Sequence, residues 1–164
     1  GTLESIQDIL FKGRINDSYA LLRKYYDATI INLYSNLYLS DNFSIENFIV
    51  EKINNWVKGK ETIPSFGTMS EYIIKSTKVS EITKLIYANG AFKVSSFEDL
   101  RQRCNDHTHY LYYHNLLSND NEVYLQNRLS TLNSFSKDLQ DVFVLHLSYL
   151  CKHSPIPLLL PSPS

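Results

Sequence analysis

Between residues 19 and 37 the apolar side chains Tyr19, Leu22, Tyr26, Ile30, Leu33 and Leu37 recur at helical spacing, so that they fall on one stripe of an α-helix. A strand would need alternation at every second residue, and the segment does not alternate. Asn16, Asp17 and Ser18 stand just before the stripe and offer N-caps, which predicts one long helix from there to about Leu39. A second stripe lies near the other end of the chain. Leu125, Leu132, Leu139 and His146 follow one another at i+7 with Leu129, Phe135, Phe143 and Leu150 beside them. That is the seam expected of a bundle helix ending near Cys151.

Shorter helical patterns fill the space between the two long ones. Ser5 to Phe11 reads as a first helix closed by Gly13, and a helix starting near Ser44 carries Ile45, Phe48, Ile49, Ile53 and Trp56 before stopping at Gly59. Pro64 and Gly67 mark residues 60–68 as a connection. Helices are then expected from Ser70 to Ser76 and from Ser80 to Ala88, the second ended by Asn89 and Gly90. Ser95 with Glu98 forms a capping box that should open a helix running to about Leu117. The fold class expected is therefore all-α, an antiparallel up-and-down helical bundle with short accessory helices. Its closing pair would pack through Leu100, Cys104 and Leu111 against Leu132, Leu139 and Phe143. Residues 1–152 form one domain on this reading. Residues 153–164 form a proline-rich apolar C-terminal tail without charge, which cannot be helix.

Composition narrows the functional classes. With 16 basic and 17 acidic residues in 164, the chain lacks the excess of positive charge that coats nucleic acid or membrane surfaces. Only residues 51–93 are locally positive, with seven Lys against four Glu. Two cysteines, Cys104 and Cys151, are too few for a disulfide framework, which predicts unpaired thiols and a reducing, cytoplasmic setting. No apolar run has the roughly 20 residues needed to span a bilayer, so no membrane partner is expected. No Gly-rich phosphate loop, paired CxxC or HExxH appears, and no cofactor is expected.

One segment carries more chemistry than a packing helix requires. Residues 100–115, LRQRCNDHTHYLYYHN, gather two Arg, three His and three Tyr. On a helix the apolar stripe is Leu100, Cys104, Thr108 and Leu111. Asn105, His109 and Tyr112 then fall on one flank and Arg103, His107, Tyr110 and His114 on the other. The spacing Arg103-Cys-Asn-Asp-His-Thr-His109, on a late helix of an up-and-down bundle, resembles the HEPN family of helical RNA-cleaving and nucleotide-binding domains. That family carries an Arg, four to six intervening residues, then a His. Arg101 to His107 fits the same gap. The run RCNDxxHYxxY, followed by NDNE at Asn119 to Glu122, is also similar to a group of bacterial proteins without an established activity.

The resemblance implies metal-independent RNA cleavage, in a protein of a bacterial defence or toxin–antitoxin type system, with the RNA 2′-hydroxyl attacking the adjacent phosphate. His109 would move the proton and Arg103 would face the phosphorane charge. Asn105 would fix the phosphate or the imidazole tautomer, and Asp106 would orient His109. Arg101, His107, Tyr110 and Tyr113 would bind the RNA. Six residues separate Arg103 from His109, about 240° around a helix. The resemblance therefore also implies a homodimer in which two copies of the motif line one cleft. Two other readings remain: a metal held by Asp106, His109 and His146 in the bundle core, and a non-catalytic helical module that binds a protein partner through its tyrosines and tail.

Overall fold

A computed structural model of the chain describes residues 1–44, 50–86, 94–109, 113, 115 and 125–153. Seven helices span them: α1 Thr2–Phe11, α2 Ile15–Asn42, α3 Glu51–Val57, α4 Phe66–Lys75, α5 Thr77–Ile86, α6 Val94–Thr108 and α7 Leu125–His153. The protein is all-α, as its periodicity predicts. No described helix is long and apolar enough to cross a membrane.

The central element is α2. Helices α1, α4, α6 and α7 all pack on it, and its stripe from Tyr19 to Leu37 forms the spine of the core together with Ile15, Tyr25 and Tyr34. Its cross-contacts set the directions of its neighbours. Asn16 meets His107 and Arg23 meets Asn105, so α6 runs antiparallel to α2. Tyr19 meets Asp138 and Tyr25 meets His146, so α7 runs parallel to α2 and hence antiparallel to α6. Leu100 and Cys104 are buried as expected, on a helix that packs chiefly on α2.

The buried stripe of α7 is Phe135, Asp138, Val142 and Leu145, while Leu129 and Phe143 are exposed and Leu132 and Leu139 only partly buried. The true face is turned from the expected one by about 60°, the angular offset between Leu139 and Val142. Leucines at i+7 mark a stripe, but its centre depends on what lies opposite. Here α2 presents the tyrosine ring of Tyr19, which takes Phe135 edge-on at 4.9 Å between centroids.

Local stops mostly follow the glycines. Gly13 at φ 74 and Gly59 at φ 66 close α1 and α3 in the left-handed conformation that an L side chain resists. Other boundaries differ from expectation. Helix α2 starts at Ile15 with Arg14 as N-cap, so Asn16, Asp17 and Ser18 lie inside its first turn. Helix α4 begins at Phe66 because the Ser65 hydroxyl accepts from the Thr68 amide at 3.3 Å, leaving Gly67 in the first turn. Helix α5 begins at Thr77 rather than Ser80. Helix α6 starts one residue before Ser95 and ends at Thr108, well short of Leu117. The Asn89–Gly90 stop, the first turn of the helix expected from Ser44, Leu111, the connection at residues 118–121 and the tail after His153 lie outside the described residues.

The core is rich in groups that resist ionisation. Burial pushes the phenols of Tyr19 and Tyr26 well above their ordinary range. The Cys104 thiol, free and buried, rises to about 12, chiefly by burial. Burial, with a hydrogen bond from its hydroxyl to Asp41, takes Tyr72 to about 12. The folded chain therefore keeps protons that the unfolded chain releases from pH 9 upward. Stability is full below that pH and falls as pH rises from about 9 towards 12. Urea midpoints at pH 8 and pH 10.5 should differ, with the alkaline value clearly lower. An unchanged midpoint would contradict this packing of the tyrosines.

Candidate functional site

Helix α6 carries Arg103 and His107 one turn apart, and both reach the junction where α2, α6 and α7 meet. Arg103 donates through Nε to both carboxylate oxygens of Asp138, at 2.9 and 3.1 Å, and through Nη2 to Oδ1 at 2.5 Å. This two-pronged grip is the geometry in which a guanidinium and a carboxylate fit best. Asp138 is only 1% exposed, whereas the Arg103 side chain is 41% exposed. The buried carboxylate thus fixes an arginine whose outer edge faces solvent. Nη1 makes no hydrogen bond among the described residues. The bonds the guanidinium donates to Asp138 hold its pKa above its already high ordinary value.

Tyr19 links the arginine to the histidine. Its hydroxyl donates to Asp138 Oδ2 at 3.4 Å, and its ring lies flat on the His107 imidazole, 4.0 Å between centroids and 1° from parallel. His107 Nδ1 lies 2.7 Å from Asn16 Oδ1. The Asn16 amide is oriented in turn, because its Nδ2 donates to the Asn115 carbonyl. With Nδ2 committed as donor, Oδ1 can only accept, so Nδ1 of His107 carries the proton. In the neutral ring that leaves Nε2 as the basic nitrogen. Asn115 closes the circuit by donating to the Asp106 carbonyl at 3.0 Å.

The other expected site residues are placed differently. His109 is exposed at the end of α6, where its backbone amide donates to Asn105 O at 2.9 Å. Its imidazole has no partner among the described residues. Asp106 does not orient it, since the Asp106 carboxylate accepts from Gln102 one turn earlier at 2.7 Å. Asn105 accepts from Arg23, which also pairs with Asp27 at 2.8 Å. Asn105 therefore fixes α6 to α2 rather than orienting an imidazole. Arg101 and Asn105 share a cleft of about 390 Å³ between α4 and α6, in which the Arg101 guanidinium lies over the Phe66 ring at 4.5 Å. Tyr113 is 75% exposed. Tyr110 lies outside the described residues.

The structure thus brings Arg103 together with His107, not with His109. The helix makes this unavoidable, since residues four apart share a face and residues six apart do not. Asp106, His109 and His146 are not gathered either: His146 pairs with the Tyr25 hydroxyl, and no group of three or more metal-ligating side chains occurs among the described residues.

Three partners of the site were not legible as such: Asp138, Tyr19 and Asn16. Asp138 had a signal, because Phe135, Asp138, Val142 and Leu145 repeat at helical spacing and place one carboxylate within an apolar stripe. Against known proteins the chain matches no family model, no curated protein and no solved structure.

Proposed function

We propose that this chain is a HEPN-like, metal-independent RNA-cleaving protein in which Arg103 and His107 are the working pair. The observation that carries the reading is the preorganisation of these two side chains. A buried carboxylate fixes the arginine with one edge towards solvent, and an oriented amide fixes the histidine tautomer one turn away. Side chains held in this way act without reorganisation when charge develops.

In the reaction, the His107 imidazole takes the proton of an RNA 2′-hydroxyl. The 2′-oxygen attacks the adjacent phosphorus, the bond from phosphorus to the 5′-oxygen breaks, and the leaving oxygen takes up a proton. The products are a 2′,3′-cyclic phosphate and a 5′-hydroxyl end. Arg103 Nη1 donates to a non-bridging oxygen as its charge grows. Arg101, stacked on Phe66, offers the strand a flat cationic surface beside the same helix. The resemblance to HEPN domains adds a homodimer, in which the exposed His109 at the end of α6 faces the second copy.

The test is direct. Wild-type protein incubated with single-stranded RNA in EDTA should leave 2′,3′-cyclic phosphate ends, and a strand with a single 2′-deoxy sugar should resist cleavage at that position only. Intact RNA in both cases would leave the non-catalytic protein-interaction module as the reading of the chain.

A further inference from the structure

The cleft of about 390 Å³ between α4 and α6 holds chemistry that the Arg103–His107 pair does not use. Glu98, Arg101, Gln102 and Asn105 stand at i, i+3, i+4 and i+7 of α6, so that one helical face brings all four to the cleft. Two of them are engaged elsewhere: Gln102 donates to Asp106 at 2.7 Å, and Asn105 accepts from Arg23. Arg101 and Glu98 are not. The Arg101 guanidinium lies over the Phe66 ring at 4.5 Å, and its Nε is buried without a hydrogen-bond partner. Glu98 is exposed. Neither residue makes a hydrogen bond or ion pair among the described residues.

An arginine laid flat on an aromatic ring, one turn from a carboxylate that it does not neutralise, leaves both groups open to a ligand. Asp99 lines the cleft as well, so two carboxylates stand against one guanidinium and repel a bare anion. A flat uncharged ring avoids that repulsion. It can layer on the face of the guanidinium away from Phe66, as bases of single strands do on arginine. The carboxylate then selects the base, because it only accepts and its two oxygens fit two neighbouring donors. Guanine presents N1–H and its 2-amino group side by side. Adenine and cytosine each set one amino group beside an acceptor nitrogen, and uracil sets one N–H between two carbonyls.

We infer that the cleft between α4 and α6 is a guanine subsite, with the base layered on Arg101 and its N1–H and 2-amino group donating to Glu98. The Gly67 amide lines the same cleft, in the first turn of α4 where no helix carbonyl is available to it, and can donate to guanine O6 or N7. RNA as the source of the guanine rests on the proposed function; the base preference is what the cleft adds.

Binding of strands that cannot be cleaved tests the subsite apart from the reaction. The probes are fluorescein-labelled 2′-O-methyl pentamers, UUGUU, UUAUU and the inosine analogue of the first, titrated with the full chain by anisotropy. UUGUU should bind about tenfold tighter than UUAUU, the scale of one two-pronged base contact. Inosine, which lacks the 2-amino group, should fall between them. Glu98→Gln offers one donor beside one acceptor and should bring UUGUU and UUAUU within about twofold by weakening only the first. Arg101→Ala should weaken all three strands by about fivefold or more through loss of the layered contact. Both are surface changes that should leave the circular dichroism unaltered. Equal affinity for UUGUU and UUAUU, or a preference that survives Glu98→Gln, would overturn the subsite. Guanosine 5′-monophosphate binding as tightly as UUGUU would overturn the assignment to a strand. Cleavage of ordinary RNA without guanine-selective binding would remove the subsite and leave the proposed function standing, and selective binding without cleavage would do the reverse.

Discussion

Tyr19→Ala is expected to lower the unfolding free energy by about 4 kcal/mol, the upper range for removing a fully buried aromatic side chain. For a chain of this length that is a fall in Tm of roughly 10 °C. Tyr19 is fully buried and touches all three long elements of the junction: it belongs to α2, stacks on His107 of α6 and meets Phe135 and Asp138 of α7. Its removal opens a cavity and frees the imidazole. Tyr19→Phe keeps both ring contacts and loses only a long hydrogen bond, so it should cost about 1 kcal/mol or less. Thermal denaturation of the two variants side by side separates packing from polarity. Equal losses would show that the stack on His107 contributes nothing.

Arg103→Ala carries the second large effect. It strands Asp138, a carboxylate that is 1% exposed, without its counter-charge. Breaking a fully buried pair from one side costs about 3–5 kcal/mol. Because Arg103 is 41% exposed, solvent screens the pair, and about 2 kcal/mol is the expected loss. Arg103→Lys keeps the charge but not the two-pronged geometry, and should lose about half as much. The double variant Arg103→Met, Asp138→Leu should be more stable than Arg103→Ala alone, since it buries no unpaired charge. Urea denaturation of the set distinguishes the pair's structural share from any effect on RNA. A double variant that is stable yet inactive would place Arg103 in the chemistry.

Helix type and order were legible because the apolar stripes are long and the glycine stops are strong. Gly13 and Gly59 end helices where the chain must turn left-handed. What could not be read was which helix lies at the centre, since periodicity finds a face and not its neighbour. The same gap hid the site. Asn16 looks like an N-cap in the sequence, but its amide is spent on His107 and Asn115 across the bundle, and Arg14 starts the helix instead. The Arg-to-His spacing drew attention to α6, on which Arg103 pairs with Asp138. Within the chain Arg103 shares its helical face with His107, four residues on, and not with His109, six residues on. Asp138 sits among Lys137, Gln140 and Asp141 and reads locally as solvated surface. Only the surrounding apolar stripe reveals that it is buried.

The choice between the two histidines is the most direct test of the account. His107→Phe retains a flat ring against Tyr19 while removing both nitrogens, and His109→Ala removes an exposed ring without a partner among the described residues. Cleavage of single-stranded RNA in EDTA should fall by at least about 10²-fold in His107→Phe, the scale of a lost general base. It should stay within about twofold of wild type in His109→Ala, as for a surface change outside the site. Both variants should remain folded by circular dichroism. Full activity in His107→Phe with loss in His109→Ala would contradict the assignment of His107 and Arg103 as the working pair.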